Sequence, residues 1–150
     1  MSDLYERDIV AWAEAQAEAL RRRSANEVDW ENVAEEVGDV GGAIVKACES
    51  QVENILAHFL KLEFSGLEEP QRHWRAEIDA FRAELEKDIT PTIAARMPGR
   101  LDHIYRYALR AVRRDYDRRG EEAPILPEAC PYSWDDALGR GGDWTPAPRL

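Results

Sequence analysis

The groups from which chemistry could be built in this chain are three histidines, two cysteines and 30 acidic side chains. His58 has the most suggestive setting. It lies between Ile55 and Leu62 on an apolar run at helical spacing, with Lys61 in the following turn. A histidine lining an interhelical pocket titrates near neutral pH and suits acid–base work. An enzyme reading would therefore join His58 and Lys61 to an acidic residue such as Glu35, with Trp74, Arg75 and Arg82 flanking the pocket. The favoured reading is plainer. His58 is a core histidine bonded to a neighbouring helix, and Trp74 is core filler.

Other chemistries find little purchase. Di-iron helical bundles need Glu-x-x-His on two helices. The residues three before His58, His73 and His103 are Ile55, Pro70 and Arg100. His-x-x-x-His and Cys-x-x-Cys are absent as well, so no metal or other cofactor is expected, and no small-molecule ligand. The run Glu31, Glu35, Glu36, Asp39 could gather a hard cation, but it reads better as a solvated face. Ser24, Ser50, Ser65 and Ser133 lack an elbow motif, Cys48 sits mid-helix and Cys130 precedes a proline. No Ser–His or Cys–His arrangement follows from that spacing. Gly139, Gly141 and Gly142 have no strand before them to make a phosphate loop. The two cysteines read as reduced, buried thiols.

Charge is unevenly spread. The net value is −10, yet residues 96–119 carry eight arginines against three aspartates. Arg106, Arg110, Arg113 and Arg114 belong to this basic stretch. Docking beside acidic helices or a partner subunit suits it better than nucleic acid, because the rest of the chain would repel phosphates. Met1 to Arg7 shows no apolar signal region. No apolar stretch approaches the ~20 residues that span a bilayer. A soluble, cytoplasmic protein without a membrane partner is expected.

Amphipathic helices must position these residues. The first is expected from Asp3 to Arg23, burying Tyr5, Ile9, Trp12, Ala13, Gln16 and Leu20. After a connector, Asp29 offers an N-cap. The stripe Trp30, Val33, Val37, Val40, Ile44, Cys48, Val52, Ile55, Phe59, Leu62 follows, with a kink or break expected between Gly38 and Gly42 and both arms facing one core. A third helix over about 71–88 buries Trp74, Ile78, Phe81 and Leu85. Thr90-Pro91 starts a short turn that Pro98-Gly99 breaks. The fourth main helix covers about 100–118 and buries Leu101, Ile104, Tyr105, Ala108, Val112 and Tyr116. Beyond Gly120, Ser133 caps one helical turn, and Ile125, Leu126, Tyr132, Trp134 and Leu138 anchor the tail. The sum is an all-α, antiparallel bundle of about four main helices. It forms one domain over 1–150, with the tail 120–150 packed on the bundle 1–119.

Four stretches carry a resemblance. They are LYERDIVAW within Leu4 to Leu20, VDWENVAEEV over Val28 to Val37, VENILAHFLKLEF over Val52 to Phe64 with HWRAEI after it, and LPEACPYSWDDAL over Leu126 to Leu138. In these the chain resembles the domain-of-unknown-function family number twenty-nine, small bacterial proteins abundant in cyanobacteria. The departure is Gly41-Gly42, where relatives carry polar helix formers. The resemblance implies an all-helical fold and no activity, cofactor or partner.

The leading functional expectation is a protein-interaction or scaffold module. It would bind a protein partner or a second copy through helical faces and the tail, where Tyr132 and Trp134 offer aromatic anchors. The alternatives are a small enzyme around His58 and a nucleic-acid-linked regulator using the arginine helix.

Overall fold

Helical periodicity governs every long element. A computed structural model describes residues 3–149 as six α-helices and one 3-10 turn, with no strand among the described residues. The expected limits at residues 1 and 150 lie outside them. The chain forms two compact units, one ending at Ile44 and one beginning at Val45.

The first unit comprises α1 (Asp3–Arg7), α2 (Ile9–Arg21), a 3-10 turn (Ala25–Glu27) and the first half of α3 (Trp30–Phe64). The single helix expected over Asp3–Arg23 divides at Asp8, whose carboxylate accepts the Ala11 N–H at 3.0 Å and caps α2. Trp12 and Ala19 are buried, whereas Ile9 and Leu20 from the expected stripe are exposed. A unit this small has too little covering surface to bury a whole stripe.

Asp29 caps α3 as expected, accepting the Asn32 N–H at 3.4 Å. The helix then continues unbroken through Gly38, Gly41 and Gly42. The break expected there does not occur. Each glycine costs about 1 kcal/mol relative to alanine, but it keeps its backbone hydrogen bonds. That cost is spread over a 35-residue helix whose second half is fixed by burial.

The second unit holds the core. The second half of α3 contributes Cys48, Val52, Ile55, Leu56, Phe59, Leu60 and Leu62. Helix α4 (Gln71–Asp88) adds Ile78 and Leu85. Helix α5 (Pro91–Arg118) adds the whole expected stripe from Leu101 to Tyr116, and also Ile93 and Met97. Thr90 caps α5, accepting the Ile93 N–H at 3.2 Å, with Pro91 at its start. The stop expected at Pro98-Gly99 is overridden, and α5 passes through both residues. Proline removes one hydrogen bond and crowds the preceding turn, at about 3 kcal/mol. Burial of Met97 and Leu101 on either side offsets this.

The tail carries α6 (Trp134–Ala137), begun by a capping box in which Ser133 and Asp136 exchange bonds. Leu126 and Tyr132 are buried. Ile125, expected as an anchor, is 97% exposed. Leu126 beside it takes the inward position, and successive side chains of an extended segment point to opposite sides.

Candidate functional site

His58 sits on α3 with 9% of its surface exposed. Its Nδ1 lies 2.8 Å from the Asn54 carbonyl oxygen and its Nε2 lies 2.5 Å from Glu77 Oε2. The ring packs edge-on to Phe81. His73 Nε2 approaches the other Glu77 oxygen at 3.2 Å. Burial alone would raise the Glu77 carboxyl. The His58 hydrogen bond, together with the neighbouring His58, His73 and Lys61 side chains, outweighs burial and holds it below the usual carboxylate range. Both nitrogens of His58 are engaged by protein oxygens, so neither is open to a substrate. Lys61 is paired with Asp115 at 3.1 Å. The acid beside His58 is therefore Glu77 of α4. Glu35 lies exposed in the first unit.

Arg82 and Tyr132 both pack against Phe59. The guanidinium carbon stands 5.5 Å from that ring's centre, and the Tyr132 ring packs edge-on to it at 5.0 Å. Arg82 donates to the carbonyl oxygens of Asp136 (3.0 Å), Ala137 (2.9 Å) and Trp144 (2.7 Å). Two of these belong to the end of α6, where the Asp136 carbonyl also accepts the Gly139 N–H at 3.0 Å. The Tyr132 hydroxyl donates to Glu63 at 2.6 Å, and burial together with that bond pushes its own ionisation upward. Glu63 also accepts from Arg149 at 2.9 Å. Trp74 and Trp134 are half-buried against the core. Arg82, Tyr132 and Trp134 hold the tail to the helices, and neither Tyr132 nor Trp134 is a free anchor.

A groove of about 340 Å³ runs between the second half of α3 and α5. Lys46, Ser50 and Glu53 line one wall and Arg100, His103 and Tyr107 the other. Arg100 is already paired with Glu49 at 2.8 Å. The two thiols are unpaired; Cys48 is buried and Cys130 half-buried, and burial pushes both above their ordinary range. Among the described residues no cluster of three or more histidines, cysteines or carboxylates is placed to hold a metal ion. No helix among them is long and apolar enough to cross a membrane.

The first unit presents a different surface. Along α3, Trp30, Val37, Val40 and Ile44 are 58%, 68%, 64% and 38% exposed, where the stripe predicted burial. With Ala34 and Gly41 they fall within about 120° of the helix circumference at 3.6 residues per turn. No charged residue falls inside that arc. Glu35 and Asp39 lie near the opposite face and Glu31 about 60° beyond one edge of the arc, all three exposed. On the other side Glu36 accepts from Tyr5 at 2.6 Å and Asp29 from the Trp12 indole N–H at 3.3 Å, where α1 and α2 pack. The Trp30 indole N–H donates to the Ala25 carbonyl at 3.0 Å, which fixes the ring although most of it is exposed. Beside Trp30 lies an open hollow of about 540 Å³, lined by Gln16, Asn26 and Val28 and by the acids Glu27, Asp29 and Glu31. The hydrogen bond from the Asn32 side chain holds Asp29 below its usual range, so it is ionised at neutral pH.

Helical spacing marked these residues as apolar but could not show that their covering element is missing. The available signal was the cluster Gly38, Gly41, Gly42. An alanine Cβ built at any of them meets nothing within 4 Å. Glycines in a helix with no steric need for them mark a surface, not a core.

Residues 4–141 match the family described as Domain of unknown function DUF29, and the chain belongs to it. No curated protein and no solved structure matches the chain significantly.

Proposed function

We propose that the protein is an interaction module that docks a protein partner through the first unit. The observation that carries this is the charge-free face of α3 bearing Trp30, Val37, Val40 and Ile44 in water. Exposed apolar residues scattered singly need no explanation, whereas a contiguous patch rimmed by polar groups marks a binding surface. Trp30 is held by its own hydrogen bond, so little side-chain entropy is lost when a partner covers it. Tryptophan is also the residue type most enriched among energetic anchors of interfaces. The tail is not proposed as a docking element, because its aromatic groups are engaged against α3 and α4.

The test is co-purification of the tagged, full-length chain from its native cells, beside a Val37→Glu/Val40→Glu variant checked for helix content by circular dichroism. A stoichiometric partner held by the wild type and lost by the variant is expected. A strict monomer retaining nothing in sedimentation overturns the proposal.

One observation favours a second reading. Arg113 is paired with Glu128 at 2.5 Å, but Arg106, Arg110 and Arg114 are exposed on α5. Arg110 stacks over the exposed Tyr107 ring at 5.1 Å. An anionic partner such as nucleic acid would use this surface, with affinity falling steeply as salt rises. Absence of binding to DNA and RNA at low salt ends that reading.

A further inference from the structure

We propose that the occupant of the first unit's apolar face is a basic amphipathic helix of another protein. Its apolar side would lie along Val37, Val40 and Ile44, and a lysine or arginine would enter the acidic hollow beside Trp30. This inference rests on the interaction reading above and adds the chemistry of the partner.

The length and shape of the face come first. From Trp30 to Ile44 it runs about 21 Å along the helix axis, roughly four turns. Small residues sit within it: Ala34 and Gly41 between the larger ones, and Gly38 at its edge. Open space surrounds both glycines, so another backbone can approach closely there. A ridge of large residues interleaved with small ones fits the side-chain ridge of a second helix.

Charge selects which helix. Residues 3–44 carry eleven acidic and four basic side chains. Glu27, Asp29 and Glu31 line the hollow at the end of the apolar arc, and Glu36 lies about 40° beyond the arc's edge along the α1 side. Two of these units brought face to face would set like charges against each other, which opposes a second copy as occupant. An anionic lipid surface is repelled for the same reason. A helix whose apolar side is flanked by lysine or arginine meets the opposite field. The hollow adds a specific point of capture. A cation placed there lies beside an indole face and among carboxylates, where cation–π attraction and ion pairing act together. Glu27 is shared with Arg22 at 3.1 Å on the surface, an exposed pair that a partner's cation can replace at little cost.

The experiment uses the full chain and three designed helical peptides of about 18 residues. They share one leucine face and differ only in their polar face, which is lysine, glutamine or glutamate. Titration calorimetry at low and high salt reads the affinities. The lysine peptide is expected to bind about tenfold or more tighter than the glutamine peptide, and the glutamate peptide not measurably. Val37→Glu/Val40→Glu is the decisive variant. It makes the unit more acidic, so diffuse electrostatic attraction would strengthen lysine-peptide binding, whereas apolar docking predicts a loss of about tenfold or more. Glu27→Gln/Glu31→Gln, which neutralises the hollow and spares the Asp29 cap, should narrow the lysine–glutamine difference and leave the glutamine peptide unaffected.

Equal binding of the glutamine and lysine peptides overturns the inference about charge and leaves the docking reading standing. Unchanged or tighter lysine-peptide binding by Val37→Glu/Val40→Glu overturns both. So does failure of all three peptides together with no partner retained by the wild type. A concentration-dependent dimer that the same variant abolishes names a second copy as occupant, and preferential binding to phosphatidylcholine vesicles names a lipid surface. Either result overturns the inference.

Discussion

From Cys48 to Leu62 the apolar positions of α3 are shut away from water, whereas from Trp30 to Ile44 most of them stand in it. The residues are similar in kind and continuous in phase along one helix. What differs is what each half has been given to meet. Helices α4 and α5 supply Ile78, Leu85, Ile104, Tyr105 and Val112 around the second half. In the first unit, α1 and α2 engage the side of α3 that carries Asp29 and Glu36, leaving the next face open. An amphipathic pattern thus specifies that a face needs an apolar neighbour. It does not specify that the neighbour lies in the same chain.

The contrast is broken or sharpened most strongly by truncating one side chain in each half. Phe59→Ala removes a fully buried ring that touches Tyr132, Trp144 and Arg82. A loss of about 3–5 kcal/mol is expected. Val37→Ala in the exposed half should change stability by less than about 0.5 kcal/mol. Urea denaturation of both variants is the measurement. A Val37→Ala cost of similar size to that of Phe59→Ala would mean that the face is covered in solution.

Arg82→Met comes next. The variant keeps an apolar stem against Phe59 and removes the Arg82 donor from three carbonyl oxygens, of which Asp136 retains the Gly139 N–H. Hydrogen bonds from a charged donor contribute about 1.5–3 kcal/mol, and unpaired carbonyls add to the loss. A loss of about 3 kcal/mol is expected, lowering Tm by roughly 6–12 °C. Protease cleavage after Gly120 should quicken as the tail is released. Unaltered cleavage with a lowered Tm would place the role of Arg82 in the core instead of the tail.

How much of this was legible in the sequence follows the same division. The stripes of α4 and α5 were readable because each is answered inside the second unit. The caps at Asp29, Thr90 and Ser133 were readable because capping is local, a side chain closing on a backbone N–H three residues ahead. Breaks were misjudged. Gly38–Gly42 and Pro98-Gly99 are costly for a helix in isolation, yet the exposed glycines keep their helical hydrogen bonds at a modest cost, and burial of Met97 and Leu101 carries the helix past the proline. His58 was legible as a bonded core residue, but its partner Glu77 was not, since nothing in spacing joins positions 58 and 77. Arg82 could be placed only as a residue flanking a pocket near His58. Its turn inward is set by three backbone carbonyls at positions 136, 137 and 144, which no side-chain pattern records.

Gly41→Ala separates stability from binding in the exposed half. The added methyl meets nothing within 4 Å, and alanine is favoured over glycine within a helix by about 1 kcal/mol. The variant should therefore be the more stable protein, by up to that amount, in thermal or urea unfolding. If a partner helix seats closely against the ridge, the same methyl should weaken its binding. A variant more stable and equally competent to bind would show that contact is made by Trp30, Val37 and Val40 without close backbone approach.

The smallest effect belongs to the polar seam of the buried half. Glu77 has its carboxyl held below the usual range in the folded state, so the folded protein binds fewer protons there than the unfolded chain. Its contribution is complete above the ordinary glutamate pKa of about 4.3 and fades as pH falls through the lower folded value. Glu77→Gln should flatten the acid limb of the stability–pH curve while leaving the exposed face and its binding unchanged. Glu77 is partly open to solvent, so the change is smaller than those above and shrinks further as salt rises. An acid limb unaltered in Glu77→Gln would assign acid sensitivity to another depressed carboxylate. Asp136 is then the next candidate, held down against burial by Ser133 and Arg140.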